Sequence, residues 1–187
     1  MVCWYDNRYA EGMALLSRDQ IIQALTRLGE IAARDGLEVQ LVLVGGAVMA
    51  LAYNARSATQ DVDAIFLPPP EASQLRQWAL LVASELELPE DWLNDGAKGF
   101  LNGLTIGPLL LSAPGIQVHQ VTAEQLLAMK LSAWRDDTDI NDARRLLLEF
   151  PNLALEALWT TIEPFVIRGE ELKARYALED LWNARQT

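Results

Sequence analysis

The chain has 187 residues, 51% of them hydrophobic, with a formal net charge of -11. That length supports one compact domain, or a small domain with a helical extension, and the acidic balance counts against a general nucleic-acid binder while leaving room for a local basic groove. The single cysteine, Cys3, excludes an internal disulfide, the longest apolar run is too short to cross a bilayer, and no signal peptide is recognisable, so a cytoplasmic location is expected.

In chain order, residues 1 to 16 carry an aromatic cluster, Trp4, Tyr5 and Tyr9, without a clear period, which reads as a docking arm or a frayed start. Ser17 with Gln20 makes a capping-box pattern, and Ile21, Leu25, Leu28 and Ala32 follow at helical spacing until Gly36 offers a C-cap. Leu41 to Val44 is a short apolar run typical of a buried strand, and it stops at Gly45-Gly46. A glycine pair between a strand and a helix allows close backbone approach, and it frees N–H groups at a positive helix end for an anion. After the loop containing Arg56, the next strand opens Asp61-Val62-Asp63-Ala64-Ile65-Phe66. Strict alternation puts Asp61 and Asp63 on one face and Val62, Ala64 and Phe66 on the other.

Two neighbouring carboxylates favour a cation, and Mg²⁺ is usually held by one or two protein carboxylates together with substrate phosphates. Paired aspartates facing a glycine-rich turn therefore suit a metal–nucleotide site; the bland reading is a strand end with solvated acids. Pro68-Pro69-Pro70 ends this strand, and a helix follows from about 71 to 86 with Leu75, Trp78, Ala79, Val82 and Leu86 as its buried stripe. Residues 87 to 108 read best as a long surface connection, with a capped turn or brief helix at Pro89 to Gly96. Leu109 to Ser112 and Ile116 to Val121 read as a strand pair around Pro114-Gly115 that extends the sheet. His119, the only histidine, shares a face with Gln117 and fits an ordinary packed side chain better than a ligand.

Thr122 with Gln125 repeats the capping-box pattern, and Leu127, Lys130, Leu131 and Trp134 form one helical stripe interrupted by the lysine. A lysine on a buried face snorkels, pairs with an aspartate or meets a phosphate, and the last two readings stand level here. Asp136, Asp137, Asp139 and Asp142 crowd the start of the next helix, where the dipole favours negative charge, although Asp139 and Asp142 also share a face. Residues 151 to 187 read as two more helices broken at Pro164.

The strand–Gly-Gly–helix–D-x-D arrangement resembles the nucleotidyltransferase superfamily. The pattern L-L-A-M-K-L-x-A-x-R, followed by acids and D-I-x-D, resembles the abortive-infection AbiEii-type toxins and a related uncharacterised bacterial nucleotidyltransferase family, which also carries Trp92-Leu93-Asn94-Asp95. The resemblance spans roughly residues 17 to 150. It implies an α/β (α+β) minimal nucleotidyltransferase fold: a small mixed sheet flanked by helices in a core of residues 1–121, with a helical C-terminal region, 122–187, packed on it. It also implies that Gly45 and Gly46 hold a nucleoside triphosphate and that Asp61 and Asp63 bind Mg²⁺ or Mn²⁺. Lys130 would contact phosphate, Asp139 or Asp142 would supply a downstream acid, and Arg56 would hold the γ-phosphate or brace the aspartates. The expected activity is transfer of a nucleoside monophosphate to an acceptor hydroxyl on RNA, a protein or a small molecule, with an antitoxin or a second copy as protein partner and no membrane. One departure stands out: the strands at 109–112 and 116–121 carry no third carboxylate. That departure suits an alternative, a nucleotide-binding or partner-binding module that keeps the fold without turnover. A purely structural adaptor fits the aromatic arm but leaves the Gly-Gly and D-x-D arrangement unexplained.

Overall fold

The computed structural model describes residues 15–68 and 70–185, so Cys3 and the aromatic cluster of Trp4, Tyr5 and Tyr9 lie outside the described residues. Ser17 starts α1 (Arg18–Arg34) through the expected capping box: its side chain accepts from the Gln20 N–H, and its own N–H donates to Gln20 Oε1 at 2.9 Å. The helix ends where Gly36 takes a left-handed φ of +71° and Leu37 N–H returns to Ala32 O at 3.0 Å.

The central strand, β2 (Val39–Leu43), is buried at four of its five positions, the pattern of a strand covered on both faces. It pairs antiparallel with β4 (Val62–Leu67) and parallel with β7 (Ile116–Gln120). β6 (Leu109–Ala113) closes one edge antiparallel to β7, and β5 (Leu93–Asn94) closes the other parallel to β4, giving the order β5-β4-β2-β7-β6. A separate pair joins β1 (Leu16–Ser17) to β3 (Ala58–Thr59). With α2 (Gly45–Leu51), α3 (Ala72–Leu86), α4 (Ala123–Ala133), α5 (Asp137–Leu146), α6 (Leu155–Ile162) and α7 (Glu171–Ala184), this is an α+β fold around a mixed sheet, as expected.

α1 lies beside α3 and over the β6–β7 hairpin, burying Ile21, Leu25 and Leu28. α6 and α7 pack on α4, and their Leu158, Ile162, Leu178 and Leu181 belong to the same buried cluster as the sheet. The regions expected as 1–121 and 122–187 therefore share one continuous core.

Two expectations need correction. Residues 87 to 108 are more than a surface connection: Trp92 is fully buried, its indole N–H donates to Ala79 O at 2.9 Å, and Leu93–Asn94 extends the sheet. Of the two readings for Pro89 to Gly96, the structure has the turn, closed by Trp92 N–H donating to Pro89 O at 3.0 Å, and a short 3₁₀ turn follows at Gly96–Phe100. A two-residue strand is too short to show alternation. At α4, Thr122 accepts from Gln125 N–H, but the Gln125 side chain does not complete the box. Its Oε1 accepts from Thr105 N–H at 2.8 Å and its amide donates to Gly103 O at 3.0 Å, which fastens the preceding loop to the helix.

The hairpin meets α1 through glycines. A Cβ on Gly29 would stand 2.4 Å from Ile116 Cγ2 and 2.6 Å from Pro114 O. Gly29→Ala therefore sets a helix-propensity gain of about 1 kcal/mol against overpacking of about 1–3 kcal/mol or more. With backbone as one of the obstacles, overpacking dominates. The expected result is a net loss of about 1–2 kcal/mol in urea unfolding.

Candidate active-site cleft

The register of β2 sets the geometry. Leu43 stands opposite Ala64 of β4 and Gln120 of β7, and Val44 N–H donates to Asp63 O at 3.0 Å, so the chain leaves the sheet beside Asp63. Gly45 then takes φ +64°, and a Cβ there would lie 3.1 Å from Asp63 Oδ2. Gly46 has a different reason to be glycine, since its Cβ would meet Thr59 Oγ1 at 2.3 Å and Arg56 Nη1 at 3.0 Å. The close approach expected of this pair is thus made to side chains of the protein itself. No side chain caps the start of α2.

Asp61 and Asp63 share a face as alternation requires: both are partly exposed, while Val62 and Ala64 opposite are fully buried. Asn94 Nδ2 donates to Asp61 Oδ2 at 2.8 Å. Burial, together with the charge of Asp61, pushes the Asp63 carboxyl up to about 6, against an opposing pull from Lys130 and Arg135. Among the described residues, none donates a hydrogen bond to this carboxylate or forms an ion pair with it.

Lys130 is buried on α4, and its ammonium lies 3.0 Å from Asp139 Oδ1 and 2.8 Å from Asp142 Oδ2, both buried on α5. Of the readings left open for this lysine, the ion pair is the one observed. Trp134, with φ +39°, turns the chain between the helices. Asp136 then caps α5 by accepting from the N–H groups of Thr138 and Asp139, each at 3.0 Å. Helix-end electrostatics thus accounts for Asp136 and Asp137, whereas Asp139 and Asp142 serve the lysine. Arg56 adds an ion pair to Asp142, and Arg135 Nε donates to Asp139 Oδ2 at 2.9 Å. Burial alone would raise the Asp139 carboxyl, but the Arg135 hydrogen bond and the Lys130 charge outweigh it and hold Asp139 at about 2. The Asp139 hydrogen bond in turn raises the Arg135 guanidinium above its ordinary range.

A cleft of about 550 Å³ brings Gly45, Asp63, Lys130, Arg135 and Asp139 together, with Leu126, Met129, Phe100 and Ile167 as its apolar lining. Gly46, Asp61, Arg56 and Asp142 do not line it: Gly46 follows Gly45, Asp61 lies two residues before Asp63, Asp142 pairs with Lys130, and Arg56 stands one step further back, paired with Asp142. His119 stands elsewhere, with Nδ1 3.0 Å from Gly107 O, as a packed strand histidine. Arg135 was the last residue of the lysine motif and carried no expected role. Asn94 gave no signal, because its contact with Asp61 depends on a strand pairing that no local pattern announces. A second hollow, of about 500 Å³, is lined by Tyr53, Gln120, Arg145 and Glu149. Its arginine is already committed: Arg145 pairs with Glu149 at 2.6 Å and lies 5.4 Å from the Tyr53 ring centroid.

Among the described residues, no group of three or more His, Cys, Asp or Glu side chains gathers as a metal cage. Asp61 and Asp63 nonetheless fit a hard divalent cation that takes its other oxygens from substrate: they are neighbouring oxygen donors, and burial together with the charge of Asp61 holds Asp63 back from ionising until a cation offsets both. No family model matches the chain, and neither a curated protein nor a solved structure matches it.

The opposite shifts of the two aspartates have opposite consequences with pH. Asp63 protonates more readily folded than unfolded, so its contribution to stability is full at low pH and is lost as pH rises through about 6. Asp63→Asn should therefore unfold at higher denaturant than the parent at about pH 7.5, by about 1–2 kcal/mol after solvent screening, with the gain gone below about pH 4. Asp139 is depressed, so its contribution is present above the ordinary carboxylate range and is lost as pH falls toward about 2. Lys130→Met leaves two buried carboxylates short of a cation and should cost about 3–5 kcal/mol in the same titration.

Proposed function

We propose that the chain transfers a nucleoside monophosphate from a nucleoside triphosphate to an acceptor hydroxyl, using Mg²⁺ or Mn²⁺ held by Asp61 and Asp63. One observation carries this reading: the half-buried Asp63, beside a second carboxylate, opens on the same cleft as Gly45, Lys130 and Arg135. When bound, the divalent ion supplies charge neutralisation and polarisation at the phosphate oxygens. Asp63 releases its proton on taking the cation, so binding strengthens as pH rises through about 6. Lys130 and Arg135 bring positive charge to the cleft wall, where a phosphate oxygen can replace one of their carboxylate partners. Asp139, held near 2, stays ionised and anchors these two cations, which makes it a poor proton acceptor. Arg56 braces Asp142, and through it Lys130, from behind.

The acceptor stays open between an RNA end, a protein side chain and a small molecule. The net charge of -11 weighs against bulk RNA. The likeness to abortive-infection toxins makes action as a toxin, restrained by an antitoxin, one setting for the chemistry. A second reading, nucleotide binding without turnover, is favoured by the double commitment of Lys130 to Asp139 and Asp142 and by the lack of an acid on β6 and β7.

The test is incubation with Mg²⁺ and each α-labelled nucleoside triphosphate in turn, with total RNA or cell lysate as acceptor. Label should reach an acceptor with the parent protein and not with Asp61→Ala/Asp63→Ala, and Lys130→Met should slow transfer about 100- to 1,000-fold. Mg²⁺-dependent triphosphate binding without transfer would establish the second reading. Absence of both binding and transfer sinks both.

A further inference from the structure

The run Trp92-Leu93-Asn94-Asp95-Gly96 forms a bracket beside the paired aspartates. Trp92 is fully buried and bonded through its indole to Ala79 O of α3 at 2.9 Å, and Leu93 lies in the core. On the other side, Asp95 pairs with Arg76 of α3 and with Lys98, each at 2.7 Å. Between these anchors β5 runs parallel to β4, with Asn94 in register opposite Asp63.

The Asn94 amide is used at both ends. Its Oδ1 accepts from Gly96 N–H at 2.9 Å, and its Nδ2 donates to Asp61 Oδ2 at 2.8 Å. A backbone N–H only donates, so the carbonyl end must face Gly96 and the NH₂ end must face Asp61. The orientation of the amide is thereby set by the backbone of its own loop.

We infer that Asn94 is a positioning residue for the metal-binding carboxylate: it occupies one oxygen of Asp61 and aims the other toward the cation. This rests on the proposed metal site. The residue type suits the task, because a lysine or arginine here would compete with a divalent ion for Asp61, and an acid would repel the carboxylate. Outer partners of ligating carboxylates typically account for about 10- to 100-fold in metal affinity.

The experiment titrates the metal-free protein with Mn²⁺ alone, following the free-ion signal by electron paramagnetic resonance, with thermal unfolding recorded on the same samples. Asn94→Ala should weaken Mn²⁺ binding about 10- to 100-fold, with Tm within about 3 °C of the parent, since Trp92, Leu93 and Asp95 still anchor the bracket. Asn94→Ser keeps an oxygen for Gly96 but is too short for Asp61, and should show the same loss. In an Asp61→Asn background, Asn94→Ala should add nothing, because it acts through Asp61. Unchanged Mn²⁺ affinity in Asn94→Ala and Asn94→Ser, or an equal further loss in the Asp61→Asn background, overturns the role of Asn94 and leaves the metal site standing. A folded parent protein that binds no Mn²⁺ overturns the site and the role together.

Discussion

A buried ammonium shared between two buried carboxylates holds this molecule's cleft in shape. Lys130, Asp139 and Asp142 are all more than nine-tenths buried, so each charge depends on the others for the solvation that water would have supplied. The arrangement fixes α4 against α5. Through Arg56 it also draws in the loop that precedes β4, and through Arg135 the left-handed turn between the helices. Arg56, Lys130 and Arg135 outnumber Asp139 and Asp142 by one charge, three to two. The extra charge belongs to Arg56, which stands behind the cleft wall and leaves Lys130 and Arg135 to face the cleft.

The two aspartates that line the cleft show how environment divides the labour of one residue type. Asp139 is the more deeply buried of the two, yet Asp63 lies near 6 and Asp139 near 2. The difference lies in donors. Asp139 receives an arginine, a lysine and a backbone N–H, while Asp63 has a neighbouring carboxylate. One acid is spent on holding cations in place, and the other keeps its capacity for a ligand.

Much of this was legible in the chain. The period of α1 and its Ser17–Gln20 box, the shared face of Asp61 and Asp63, and the odd lysine in an apolar stripe are local patterns, and local hydrogen bonding and packing honour them. What escaped reading was non-local. Lys130 had two partnerships open because the partner is chosen by how α5 folds back after Trp134. Gln125 had the right spacing for a cap, but a loop twenty residues earlier offered its amide better partners. β5 is two residues long and pairs across the whole of α3, so neither length nor alternation betrays it.

The sheet order carries a consequence for how the chain is made. β2 forms early in synthesis but finds its parallel neighbour only when residues 116–120 arrive, and Asp142 reaches Arg56 across 86 residues of sequence. Until then a nascent chain holds an apolar strand with one side unpaired and a basic loop without its acid. Closing such distant contacts is slow compared with forming helices. During translation β4 takes one edge of β2, while the edge that receives residues 116–120 stays open to other chains.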